Sequence, residues 1–331
     1  MNSLFKLYIK RTVLLLFIGI LFSLLFIYLS YNGYAEQYDI DTWSISNMLL
    51  DYTSSCFTLN VTLELIIIYT FYMYRNKKTG IFLRQLPVKS NKDFIIKVLL
   101  SLTLIILLAA VELILFNIFT KSLISEYYNN IKAVYDAKNT VIQTLESLYT
   151  TYYSNFLMLS MLTIFISSIT IFASGSMGIM GFAIAVPFIL YFSFIGFLAG
   201  TTAFIRDMGI TLDHSILTYF NYITLRLQRL VFEDHTHINY YITLTLLSVL
   251  MYIISYFCNK HINYSKMGQL FLFRQIKILA YIIGCIFGSF SFYFIGSTII
   301  QPQNHLTAVL ILLICFIISY TAIRKIEQIF M

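Results

Sequence analysis

Two carboxyl side chains, Glu64 and Glu112, interrupt stretches that are otherwise almost free of charge. An ionisable group at that depth in hydrocarbon is costly, and where one persists it faces a bundle interior or a wet cavity. Such residues can line a substrate path or serve a proton-coupled carrier. They can equally be packing glue, hydrogen-bonded to a Ser, Thr or Tyr on a neighbouring helix, and the sequence leaves both roles open. No catalytic residues are expected. The chain has no GxxxxGK[ST] phosphate loop and no HExxH, and neither a paired-glutamate protease motif nor a serine with a histidine at membrane depth. Gly175-Ser176 resembles a fragment of an intramembrane serine site, yet His214, His235, His237, His261 and His305 all fall near or beyond the ends of apolar runs. Glu233, Asp234, His235 and His237 have metal-ligating side chains at a spacing that fits no closed site, so a solvated turn is expected there and no metal. Cys56, Cys258, Cys285 and Cys315 are scattered, without CxxC, and read as small apolar core residues.

The elements that must carry these groups are membrane helices. The chain is 59% hydrophobic and 11% charged, a composition outside that of soluble domains. Runs long enough to cross a hydrocarbon core of ~30 Å cover residues 12–31, 55–74, 94–119, 152–173, 178–199, 240–258, 278–300 and 305–323. The expectation is an all-α integral membrane protein of eight spans, forming a single transmembrane domain over 1–331. The first run lacks a small-residue cleavage site after it and reads as a retained anchor.

Charge sorts by loop. With even parity the termini share a side, and that side collects sixteen basic and two acidic residues, against six basic and eleven acidic on the other. The positive-inside rule puts both termini in the cytoplasm. Charge distributed in this way reflects topology and argues against a nucleic-acid partner. The densest basic stretch is 75–93, with six basic residues and one acid. It has an apolar face (Ile81, Phe82, Leu83, Leu86) and a break at Pro87, which suits a short helix at the cytoplasmic surface.

Two outer segments exceed what a connector needs. Residues 120–151 place Ile124, Tyr128, Ile131, Tyr135, Val141, Leu145 and Leu148 at mostly three- and four-residue spacing, as in an amphipathic helix. Residues 200–239 hold a second helical stretch, Leu217 to Val231. Both read either as an extracellular cap or gate, or as helices packed on the bilayer surface. Gly196 with Gly200 and Gly284 with Gly288 form GxxxG pairs, which allow close helix approach, within the subunit or at a dimer seam. Pro187 is expected to kink span five.

With the basic segment placed after span two, the chain resembles the membrane subunits of ABC-2-type exporters. In that family an amphipathic N-terminal helix precedes span one, and residues 1–11 fit, setting Leu4, Phe5 and Tyr8 against Lys6, Lys10 and Arg11. The loop between spans two and three forms a coupling helix, and Leu86-Pro87-Val88-Lys89-Ser90-Asn91-Lys92-Asp93 matches its Leu-Pro pattern. In the cytoplasmic loop 259–277, Ser265-Lys266-Met267-Gly268-Gln269 followed by Phe273 is similar to a run in the Ytr-type permeases of low-GC Gram-positive bacteria, with both of that run's glutamates replaced. The resemblance implies a bacterial plasma-membrane permease that exports amphipathic or antimicrobial peptides or lipid-like compounds. It pairs with a second permease subunit, identical or homologous, while ATP and Mg sit on separate ABC ATPase subunits and no cofactor sits on this chain. On that reading Arg84, Lys89 and Lys92 meet acidic groups of the ATPase while Phe82, Leu83, Leu86, Pro87 and Val88 fill its groove. Basic residues there also hold topology and contact anionic membrane lipid. The alternatives are a non-transporting sensor or immunity subunit that binds a peptide antibiotic and, more remotely, an intramembrane enzyme.

Overall fold

A computed structural model describes residues 2–35, 42–72, 90–121, 125, 128, 145–177, 179–209, 238–261, 271–302 and 304–329. All the extended elements among them are helices: α1 Asn2–Ala35, α2 Thr42–Tyr72, α3 Ser90–Leu115 with a π-helical end Phe116–Thr120, α4 Leu145–Ser176, α5 Met180–Asp207, α6 Ile238–Lys260, α7 Arg274–Ile300 and α8 His305–Ile329. Each of the eight is long and apolar enough to cross a membrane, in agreement with the spans read from hydropathy. Hydrocarbon cannot hydrogen-bond a peptide group, so a spanning segment must satisfy its backbone internally, as a helix does. Exposed aliphatic and aromatic side chains such as Val13, Leu14, Phe17 and Leu21 on α1, and Leu310, Leu313, Ile314 and Ile317 on α8, form surfaces suited to lipid.

Two readings change. Residues 1–11 are expected as a separate interfacial helix, but from Asn2 the segment runs into span one as a single 34-residue helix, about 50 Å long. Nothing between Leu4 and Gly19 breaks helical geometry, and the would-be interfacial residue Tyr8 is buried, with its carbonyl accepting from Thr12 Oγ1 at 2.9 Å. Leu145 and Leu148, expected in an outer amphipathic segment, belong to the first turns of α4. Pro187, expected to kink span five, lies inside α5. The coupling residues 82–89, the outer residues 129–144 and 210–237, and the motif residues 265–269 lie outside the described residues.

Packing groups the described residues into two compact units. The first holds α1, α2 to Phe71, α3, α4 to Ser168 and α6 to Ile254. Its core is aromatic: Tyr52, Phe116, Tyr152 and Phe156 are buried together with Leu49, Cys56 and Leu148. Phe116 and Tyr152 stack at 3.6 Å between ring centroids.

The second unit holds the rest of α4, α5, the end of α6, α7 and α8. Here α7 packs against both α5 and α8. Its buried row Cys285, Ser289, Tyr293, Ser297 recurs every four residues, and α8 answers with Ala308, Ile311, Cys315, Ser319 and Glu327. The glycine pairs lie at these seams: a Cβ on Gly196 would strike Ser291, one on Gly200 the backbone carbonyl of Phe290, one on Gly284 Ile323 and one on Gly288 Ser319. All four therefore serve close approach between helices of the same chain. The α7–α8 turn is fixed by Gln301 in the left-handed region (φ 49°) and by Asn304, whose Oδ1 accepts from Thr307 N at 2.8 Å. At the other end Lys277 pairs with Glu327, which also accepts from Tyr281 at 2.5 Å.

Gly200→Val is expected to cost about 3 kcal/mol, since the added methyls meet a main-chain atom that no rotamer change can move. Gly181→Ala, where a Cβ meets nothing within 4 Å, should be neutral or gain up to about 1 kcal/mol from helix propensity. Thermal melts in detergent compare the two, and equal losses would contradict the seam assignment.

Candidate functional site

Helix α2 turns one face inward at a stride of four residues: Tyr52, Cys56, Asn60, Glu64 and Ile68 are all buried. Four residues advance a helix by about 6 Å and return nearly to the same face. Both intramembrane carboxyls meet this row, Glu64 as a member of it and Glu112 from α3.

Glu64 is 1% exposed, and Ser101 of α3 and Ser167 of α4 are fully buried beside it. Both serine hydroxyls donate to Glu64 Oε1, Ser167 at 2.9 Å, and the two serines lie 3.0 Å apart. Tyr252 of α6 donates to Ser167 Oγ at 3.4 Å. One carboxyl oxygen thus ties three helices together directly and reaches a fourth through a serine. Glu64 Oε2 has no hydrogen-bond partner. This is the hydrogen-bonded arrangement that the packing role calls for, and it leaves one acceptor atom unused.

Glu112 is fully buried. Asn60 Nδ2 donates to its Oε2 at 2.9 Å, and the Tyr52 hydroxyl donates to its main-chain carbonyl at 3.2 Å. Ser23 of α1 and Cys56 of α2 also approach the carboxyl, and Tyr152 of α4 lies within its electrostatic range. Glu112 stands four residues before the π-helical turn, in which the Lys121 N–H returns to the carbonyl of Phe116. Phe116, the first residue of the wider turn, is buried in the aromatic core, and π turns recur at functional sites. A cavity with room for about one water molecule lies between α2 and α4, lined by Thr53, Cys56, Asn60, Phe156 and Thr163 among others.

The structure therefore carries Glu64 and Glu112 on one buried polar seam of the first unit, joined through the inward row of α2. Sequence reading singled out the two carboxyls but missed Ser23, Asn60, Ser101, Ser167 and Tyr252. Only Asn60, one turn from Glu64, left a readable trace. Ser176 donates to the Ala173 carbonyl of its own helix at 3.3 Å, and among the described residues no cluster of His, Cys, Asp or Glu could hold a metal ion. Of the coupling residues only Lys92 is described, exposed near the start of α3.

Ser167→Ala and Ser101→Ala are each expected to cost about 1–2 kcal/mol. In a double-mutant cycle with Glu64→Gln each should show a coupling of at least about 0.5 kcal/mol. Tyr252→Phe, which loses only a long bond, should cost less than either. Denaturation of the purified protein in detergent measures all three, and additive effects throughout would mean that the serines do not hold Glu64. No family model, curated protein or solved structure matches this chain, so its geometry and sequence motifs carry what is said of its function.

Proposed function

We propose that this chain is the permease subunit of an ATP-driven ABC exporter, moving amphipathic or antimicrobial peptides or lipid-like compounds out of a bacterial cell. ATP and Mg are bound by separate cytoplasmic ATPase subunits, and a second permease subunit completes the membrane part. The observation that carries this reading is the segment 75–93, basic on one face and apolar on the other, with Leu86-Pro87-Val88 ahead of the third helix. A chain without a phosphate loop needs such a contact if ATP drives it.

The ends of the helices that flank the segment support a transmitting role. Near the end of α2, Phe71 packs edge-on to Tyr8 of α1 with ring centroids 5.0 Å apart, and the Thr70 carbonyl accepts from Arg11 at 3.4 Å. On the first turns of α3, Asp93 pairs with Lys97 at 2.6 Å, and Lys97 is buried with its ammonium 5.6 Å from the Tyr8 ring centroid. One aromatic side chain thus touches both helix ends from which the segment hangs. A force applied there would reach α1, α2 and α3 together, as rigid-body gating requires. In this mechanism the seam around Glu64 and Glu112 lies along the substrate path.

The test is co-purification with a partner ATPase. Leu86→Asp combined with Lys89→Glu places a charge in the apolar face and reverses one on the basic face. The hydrolysis rate of the complex should drop roughly tenfold or more, the effect of losing an interface anchor of about 1.4 kcal/mol or above. An unchanged complex hydrolysing at an unchanged rate would remove the coupling assignment.

A further inference from the structure

We propose that the open end of the α7–α8 hairpin binds the headgroup of one anionic phospholipid. Leaving His305 aside, the basic residues of the two helices all lie in that end: Arg274 and Lys277 in the first turn of α7, Arg324 and Lys325 in the last two turns of α8. Glu327 is the single acid of the pair. It is held by Lys277 and accepts from the Tyr281 hydroxyl at 2.5 Å, so it offsets Lys277 and leaves the arginines unmatched. Both arginines are exposed, and among the described residues neither has an acidic partner.

Helical spacing sets each arginine at the end of an apolar strip. On α7, Arg274, Ile278 and Ile282 recur every fourth residue; on α8, Leu313, Ile317, Tyr320 and Arg324 follow at four-, three- and four-residue steps. The aliphatic members of both strips are exposed. Tyr281 and Tyr320 join the strips, edge to face with ring centroids 6.1 Å apart, and the charge of Arg324 acts on Tyr281. The Lys277 ammonium stands 5.8 Å from the Tyr281 ring centroid. Tyrosine collects where hydrocarbon gives way to headgroups. The surface thus passes from aliphatic side chains through tyrosine to guanidinium, the order in which a phospholipid presents acyl chains, glycerol and phosphate. Arginine offers phosphate oxygens a fork of N–H donors, and basic sites between membrane helices take anionic headgroups. A zwitterionic lipid brings a cation of its own, which the arginines repel. A free phosphate would leave the apolar strips unused.

The site depends on the chain lying in a bilayer and on nothing about ATP or cargo, so it stands or falls apart from the transport reading. Its test uses the full chain purified in neutral detergent and titrated with phosphatidylglycerol or with phosphatidylcholine of the same acyl chains. Phosphatidylglycerol is expected to raise Tm by roughly 2 °C or more over phosphatidylcholine, as for a ligand that binds only the folded state. Arg324→Gln should weaken phosphatidylglycerol binding, titrated by native mass spectrometry, roughly fivefold, the worth of one basic residue at an anionic surface. Lys325→Gln removes the same charge about 100° further round the helix and should leave binding unchanged. Equal losses in the two variants would mean diffuse attraction and overturn the site, as would equal protection by the two lipids. Protection by inorganic phosphate alone would mark a site for a soluble anion and overturn it as well. Should Arg324→Gln fail to fold, Arg274→Gln takes its place against Lys325→Gln, with the same outcomes.

Discussion

Hydrocarbon offers no hydrogen bond, and the architecture follows from that single deficit. Among the described residues, main-chain groups close on themselves in eight long helices. Polar side chains within those helices have two exits: their own backbone one turn back, or a neighbouring helix. Most hydroxyls take the first, as Thr12, Thr163 and Ser289 do. The carboxyls of Glu64 and Glu112 have no such local solution, and around them the serines, the asparagine and the tyrosines of the first unit are drawn into contacts between helices.

The two units solve the packing problem differently. In the first, large aromatic rings fill the space between helices and polar atoms fasten them. In the second, glycine, serine and cysteine rows allow close approach, so that dispersion between neighbouring helices supplies the cohesion. The first unit is thus a bundle held apart by bulk and the second one drawn together by its absence. Among the described residues, the ion pairs of the second unit lie at helix ends, Arg206 with Asp207 and Lys277 with Glu327.

The spans were legible because hydropathy is a local property that survives without knowledge of neighbours. Glu64 and Glu112 were legible for the same reason, as charges in an apolar run. Their partners were not. Ser101 and Ser167 resemble every other serine in these helices until the tertiary pairing brings them to one oxygen atom. Residues 1–11 misled because alternating basic and apolar side chains suit a separate interfacial helix as well as the continuation of a longer one. What decided between them was the fit of Tyr8 against Phe71 and Lys97, contacts far apart in the chain. The glycine pairs showed that close approach occurs, while the choice of Phe290 and Ser291 as the surface approached depends on how α5 meets α7.

The wide turn at Phe116–Thr120 gives its helix two phases. A turn closing on the fifth residue instead of the fourth holds one residue more, and everything after it is rotated by about 100° against an uninterrupted α-helix. A helical wheel drawn through Ser101, Leu108 and Glu112 still places Phe116 inward but misassigns Phe119, seven residues beyond Glu112 and exposed. For protein engineering this makes 116–120 a place where the helix holds one residue to spare. Removing it would restore regular winding and leave the end of the helix in its present phase, with Lys121 still over Tyr149, whereas closing the turn without a deletion would rotate that end by about 100°.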